Sequence, residues 1–566
     1  ELVVAAEALH RAEASVSADR YLQQQSFVER DGRRDPATGG FVVGHGALVR
    51  VQIGPPDRAW DSSAEAFPVH ALPNEDAGWD LQVWLSEPVH LPVPIEGDIH
   101  LGRFGPSSIC EFRFTPRSAG SFDGRISVLH RGRVIQTAAL AARIRAADDA
   151  VDAAATPKLG RVARVRQDLA DLGRRRRFDL AFVLNHAGTT QPVAHALGER
   201  RAWLINLRQV EQTVQRLNAA LSAPARTIAD YAGGLESAKG RELLLRLARL
   251  GDTLHLYIVE ALGQALGERA SATLGMEYIQ VVSTHSDAVV VPFEFVYEYG
   301  TPDPDATLCP EWRTALRAGR CPATCAPGAK TVCPMGFWGL RKVIERHAVA
   351  PQLAAQGEVG VQSEPVAGRD TLKLAGSAVY ACSKRVKDEQ LEPMRQRMLA
   401  AQLAAEQAID WDDWAKRVGE RGPALLIALA HSDGAEETAT LEVGGKPIWV
   451  TGITKGHIRS ANSGDGPLVA LLGCDMAGTG DAFANPVAVF SLRGAAAVVG
   501  TIATVYAEHS ANTAARLVQG LTFADRTQTR RLGETLRELK RNALLDGELM
   551  PLCLVAFGDA DWLLSN

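Results

Sequence analysis

Between residues 47 and 144 apolar and polar side chains alternate with a period of two. VRVQI (49–53), LQVWL (81–85), CEFRF (110–114), RISVL (125–129) and RVIQTAALAARI (133–144) read as strands. Gly54-Pro55-Pro56 and Gly105-Pro106 punctuate them. Short strands at this spacing predict a small β-sandwich over about 46–147. Residues 1–45 hold a weak helical start (2–14) and then polar, Gly-containing text, on which no structure is imposed.

An Ala/Asp linker, 146–157, ends the period-two pattern. A helix is expected over 162–175, strands over 178–184 and 201–205, and a helix over 210–221. The clearest helix is 238–266, where Leu243, Leu244, Leu247, Leu250, Leu254, Ile258 and Leu262 recur at spacings suited to one core-facing stripe. Two strands follow, 277–283 and 289–300. Beyond 366 strand and helix alternate. Strands are read at 372–382, 425–430, 468–472 and 495–505, with a closing run at 552–564. Helices are read at 387–404, 411–418, 510–521 and 531–545, and a hairpin at 441–453. Such alternation predicts an α/β domain with a mainly parallel sheet. The expected organisation is an N-terminal region (1–147), a linker and helix (148–177), an intermediate region (178–365) and a C-terminal α/β domain (366–566).

Two of the apolar strands end in reactive side chains. ALLIALA (424–430) runs into His431, and 468–472 runs into Gly473-Cys474-Asp475 before a helix expected near Ala482. Open α/β sheets place their chemistry at the carboxyl ends of parallel strands. A thiol becomes a nucleophile when an imidazole or a helix amino terminus lowers its pKa. His431 and Cys474 are therefore the candidate base and nucleophile of a cysteine peptidase, with no cofactor needed for catalysis. The attacked carbonyl oxygen needs N–H donors. The backbone of Cys474 and of Ser432 or Gly434 supplies candidates. Asp433, Asp475 and Asp481 are candidates for a pocket taking a basic side chain, and Lys384 and Arg385 for one taking an acidic side chain.

Residues 301–334 differ in texture. Cys309, Cys321, Cys325 and Cys333 fall in the pattern C-x11-C-x3-C-x7-C, each close to Pro or Gly. A long loop without a core of its own needs a staple, and four thiolates closing on zinc provide one. With all four positions used, such a site is structural. Reduced thiols clustered by chance, or a disulfide pair, are the alternatives.

Composition narrows the setting. Among 566 residues, 46% are hydrophobic and 22% charged, as in globular proteins. The net charge of −5 offers no bulk attraction for nucleic acid, and Arg174-Arg175-Arg176-Arg177 is read as a solvated helix end. No apolar run reaches membrane-spanning length, and the opening residues do not resemble a signal peptide. The chain starts with Glu, as a trimmed chain would, and a cytoplasmic location is expected.

ALAHSDG and LVALLGCDMAG, in this order and about forty residues apart, resemble the caspase-like CHAT peptidases. VVVPFEFVYE resembles that family's "LPWE" strand, VFSLRGAAAVVGTIATV the strand after its cysteine helix, and LCLVAFGD its closing strand. The resemblance covers about 179–564 and implies a caspase-like fold, with His431 as base and Cys474 as nucleophile. It also implies cleavage of a protein partner in bacterial defence or signalling, for example a pore-forming or signalling effector encoded nearby. Caspase-type enzymes carry Gly directly after the His, whereas Ser432 stands here, which leaves the second oxyanion donor open. Two rivals remain. One is a catalytically inert caspase-like adaptor. The other is a sugar kinase, because 475–483 (DMAGTGDAF) resembles the ribokinase signature, with Asp481 as base.

Overall fold

A computed structural model describes residues 19–69, 72, 75–165, 173, 175–184, 193–198, 201–226, 228–266, 273, 275–283, 291–325, 328–348, 359–361, 371–374, 376–433, 440–459, 466–473, 486–502, 507–522 and 530–565. It divides into two compact units, 1–204 with 352–361, and 205–351 with 362–566.

The first unit contains two sheets around one core. In one, Arg33–Pro36, Arg20–Arg30, Gly46–Gly54 and Cys110–Phe114 are neighbours in that order, and Asp61–Phe67 also pairs with Arg20–Arg30. The other runs Lys158–Arg164, Arg133–Arg145, Gly120–His130, Trp79–Glu87 and Leu91–Leu101. Leu22, Val49 and Phe112 from the first share a buried cluster with Leu81, Ile126 and Val128 from the second. Phe114 and Phe122, one from each sheet, stack at 5.2 Å. All five strands read from the period-two pattern are present.

Two elements of the first unit differ from expectation. Arg20–Arg30 is a full strand although its text is polar, because Gln23 and Gln24 are buried and hydrogen-bonded. Gln23 Nε2 donates to Pro55 O at 2.9 Å, and Gln52 Nε2 donates to Gln23 Oε1 at 2.8 Å. Lys158–Arg164 is a strand pairing with Arg133–Arg145, where a helix over 162–175 was expected. The neighbouring ladder overrides the local helical preference.

The sheet of the second unit has the order Tyr278–Ser283, Val343–Ala348, Leu554–Gly558, Ala497–Thr501, Leu468–Leu471, Leu425–Leu429, Ser377–Cys382, Ala404–Ala408. Five of its seven pairings are parallel, and the two made by Leu554–Gly558 are antiparallel. Its central strands Leu425–Leu429 and Leu468–Leu471 are apolar throughout because both faces are covered. Leu425, Ile427 and Leu429, with Leu468, Ala470 and Leu472, share a cluster with Leu391, Met394 and Met398 of helix Asp388–Ala400 and Leu517 and Val518 of helix Ala507–Leu521.

Helix Trp411–Arg421 starts at Asp410, whose carboxylate accepts from Asp413 N at 2.9 Å, and stops at left-handed Gly422. The helix Ala238–Leu266 has the bounds its leucine spacing predicts. The second strand expected over 289–300 is instead a 3-10 turn, Phe293–Phe295, and a single bridge between Tyr297 and Phe337. The strand Ala404–Ala408 lies within and beyond the end of the helix expected to 404, which stops at Ala400.

Candidate active site and thiol cluster

The strand Leu425–Leu429 lies between Ser377–Cys382 and Leu468–Leu471 and runs parallel to both. The ladder to the latter joins Leu425 to Leu468 and Ala428 to Leu471, and Leu472 N donates to Ala428 O at 2.9 Å. At the end of Leu468–Leu471, Gly473 O accepts from the buried Thr501 Oγ1 at 3.0 Å. Cys474, Asp475, Asp481 and Gly434 lie outside the described residues.

His431 is described. After Ala430 the chain enters a small three-stranded sheet, His431–Asp433, Thr440–Val443 and Lys446–Trp449. The turn between the last two is Gly444-Gly445, with φ of 59° and 84°. Two successive positive φ values define a hairpin turn that glycine adopts without steric cost. His431 is the register partner of Glu442, and Asp433 of Thr440. The side chain of His431 is half-buried, as is that of Ser432.

This hairpin is pinned at several points. Trp411 Nε1 donates to Leu441 O at 2.8 Å, Gly444 N donates to Cys382 O at 2.9 Å, and Lys446 Nζ pairs with Asp410 Oδ2 at 2.5 Å. The Asp413 backbone N–H and then Lys446 hold the Asp410 carboxyl below its usual range. Glu442 is the hub. It accepts from Ser383 Oγ, from Gly445 N and, at 3.3 Å, from Lys384 N. The Lys384 side chain lies against Gly445, and Arg385 is exposed beside it. Thus the structure brings His431 and Lys384 to the carboxyl ends of adjacent strands and joins their segments through Glu442, a residue that sequence reasoning missed. An acidic residue in a Gly-Gly hairpin, LEVGGK, is the only local signal for it.

The four-cysteine segment is also assembled by a ladder. Thr307–Leu308 and Thr331–Val332 form a parallel pair, so Cys309 and Cys333 follow side by side, and Cys309 N donates to Val332 O at 2.8 Å. A turn in which Cys325 N donates to Pro322 O at 2.9 Å brings in the other two. Cys309 Sγ lies 3.3 Å from Cys325 Sγ, and Cys321 Sγ lies 3.4 Å from Cys333 Sγ and 3.3 Å from Tyr299 Oη. Cys309, Cys325 and Cys333 are buried, and their sulfurs lie within 4.8 Å of one another, a group that can hold a metal ion.

All seven described cysteines are free. A disulfide needs about 2.05 Å between sulfurs, whereas a tetrahedron of ~2.3 Å zinc–sulfur bonds has edges of about 3.8 Å. The observed separations are nearer the second. Hydrogen bonding with Cys333 draws the Cys321 thiol down to about 6. The same contact, then burial, pushes Cys333 up, and burial pushes Cys325 up to about 12. A bound cation would favour the thiolate forms that burial disfavours at Cys325 and Cys333.

No family model matches the chain. A curated protein of Vitiosangium sp. (strain GDMCC 1.1324), named a probable protease, is 28% identical over 362 residues, covering 59% of this chain. The chain spans 45% of that relative's length. Among solved structures, the Arg-specific cysteine proteinase gingipain R matches over 63% of this chain and 76% of its own, with a TM-score of 0.31 and 11% identity. The Saccharomyces cerevisiae separase–securin complex matches over 67% of this chain and 30% of the other, with a TM-score of 0.33 and 11% identity. Both are distant likenesses. Among the described residues no helix is long and apolar enough to cross a membrane.

Proposed function

We propose that this chain is a caspase-like cysteine endopeptidase of the CHAT type that cleaves a partner protein, with Cys474 as nucleophile and His431 as base. The observation that carries the reading is a register. Strands Leu425–Leu429 and Leu468–Leu471 are parallel neighbours in register, and the sequence runs on from the one to His431 and from the other to Cys474. His431 takes the thiol proton, and the thiolate attacks the scissile carbonyl. Backbone N–H groups of Cys474 and of Ser432 or Gly434 hold the oxyanion. The amine leaves with the proton from His431, and water, activated by the same imidazole, releases the acyl group from sulfur. The similarity to a curated probable protease agrees with this chemistry. Incubating candidate partner proteins with the wild-type chain and with Cys474→Ala, then identifying fragments by mass spectrometry, tests it. Fragments unique to the wild type are expected, and identical fragment sets would reject the reading.

We infer in addition that Cys309, Cys321, Cys325 and Cys333 bind one structural zinc. Three buried thiols, Cys309, Cys325 and Cys333, lie within 4.8 Å of one another, and Cys321 Sγ lies 3.4 Å from Cys333 Sγ, which supports this. The ion would clamp residues 309–333 and take no part in catalysis. Metal analysis of the purified chain should give one zinc per molecule, and a zinc-free preparation in which all eight thiols titrate after unfolding without a chelator, with a melting curve that added zinc leaves unchanged, would reject it.

A further inference from the structure

The three-stranded sheet that carries His431 has two unlike faces. Leu441 and Val443 are fully buried, so they define the inward face, and Thr440 and Glu442 point the other way. Register partners share a face. His431 pairs with Glu442, and Trp449 pairs with Thr440, so His431 and Trp449 both stand on the outward face. Trp449 is 55% exposed, the only tryptophan among the exposed large apolar side chains described. Two strand spacings of ~4.8 Å and two residues of ~3.4 Å put its Cα about 12 Å from that of His431. An extended polypeptide covers that span in three to four residues.

We propose that Trp449 is a specificity-determining residue that receives a bulky apolar side chain of the polypeptide substrate, three or four residues from the bond that is cut. The inference rests on the peptidase reading above. An exposed aromatic residue alone would be unremarkable in a globular protein. Here it shares one sheet face with the candidate base, on a hairpin pinned through Asp410, Trp411 and Cys382. That anchoring keeps the ring at a fixed distance from the imidazole, as a subsite needs. The strand Lys446–Trp449 contains Pro447, which has no N–H to donate. The strand is therefore a poor template for adding a substrate strand, and recognition falls to the ring face. Lys446 and Ile448 occupy the opposite face by alternation and do not compete for the site.

The test is cleavage-site profiling of the full chain with a peptide library derived from whole-proteome digests. The wild type should enrich a bulky apolar side chain at one position three or four residues from the cut. Trp449→Ala should lose that enrichment, keep its preference at the cut itself, and show about a tenfold fall in kcat/KM through KM. Trp449→Phe should restore most of it. Superimposable profiles and equal KM for the wild type and Trp449→Ala would overturn the subsite. Absence of any cleavage, with no reaction of Cys474 toward a small electrophile, would instead overturn the peptidase reading and take the subsite with it.

Discussion

Replacing Arg346 with Met probes the interior of the second unit most sharply. Arg346 Nε donates to Glu294 Oε1 at 3.0 Å, and Nη2 donates to Glu294 Oε2 at 2.5 Å and to Val291 O at 2.9 Å. The two side chains are 4% and 5% exposed. The guanidinium also faces the Phe293 ring at 5.6 Å. Removing one partner of a buried pair costs about 3–5 kcal/mol, because the other charge is left uncompensated. Counting the two lost charge-assisted hydrogen bonds at roughly 1.5–3 kcal/mol each gives about 3–6 kcal/mol, which agrees.

Burial alone would raise the Glu294 carboxyl, and Arg346 brings it below its ordinary value. The wild-type contribution is therefore present above the unfolded carboxylate range and lost as pH falls through the lowered folded value. In Arg346→Met burial is opposed only by the charge of Lys540 and a backbone hydrogen bond, so the carboxyl should move upward and acidification should relieve part of the defect. Because the chain has two compact units, a single unfolding free energy is poorly defined, and amide hydrogen exchange in peptides covering 291–298 and 338–348 is the better assay. A loss of 3–5 kcal/mol corresponds to an acceleration of about two to three and a half decades at neutral pH. Glu294→Leu combined with Arg346→Met should recover most of it. An acceleration below about tenfold in the single variant would refute the assignment of Glu294 as a charge held by Arg346.

Other expectations follow from the same geometry. Lys540 is deeply buried, and desolvation lowers its pKa despite the nearby Glu294, so the unfolded chain binds its proton more readily. Lys540→Met should accordingly raise local stability at neutral pH, an advantage that shrinks as pH rises through the unfolded lysine range, as read by amide hydrogen exchange in peptides covering 532–545. Cys321→Ser should lower zinc stoichiometry in metal analysis and loosen exchange protection across 309–333, while a similar substitution at free Cys110, in the other unit, should leave the metal content unchanged. Glu442→Ala frees Ser383 Oγ, Lys384 N and Gly445 N at once, so any peptidase activity should fall about tenfold or more with the far-ultraviolet spectrum preserved.

The central strands were legible because their chemistry is unambiguous. Both 425–429 and 468–471 are apolar throughout, and nothing but a covered sheet position suits such a run. The Gly-Gly pair likewise announced the hairpin after His431. Less legible elements share one cause, namely that tertiary partners replaced the local signal. Gln23 of Arg20–Arg30 is buried only because Pro55, Ser62 and Gln52 satisfy it. Ala404–Ala408 becomes a strand only because Ser377–Cys382 offers a free edge. At the site, the sequence marked His431, Lys384 and the four cysteines, but not Glu442. Its importance comes from a register that joins it to His431 and from a turn that folds it back onto Ser383.

The most direct measurement is covalent labelling by an electrophilic peptide ketone, located by peptide mapping. The account predicts adduct on Cys474 in the wild-type chain and its loss in His431→Ala, with folding of both verified by circular dichroism. Adduct that forms equally well without the imidazole, or that appears on other cysteines and never on Cys474, would contradict it.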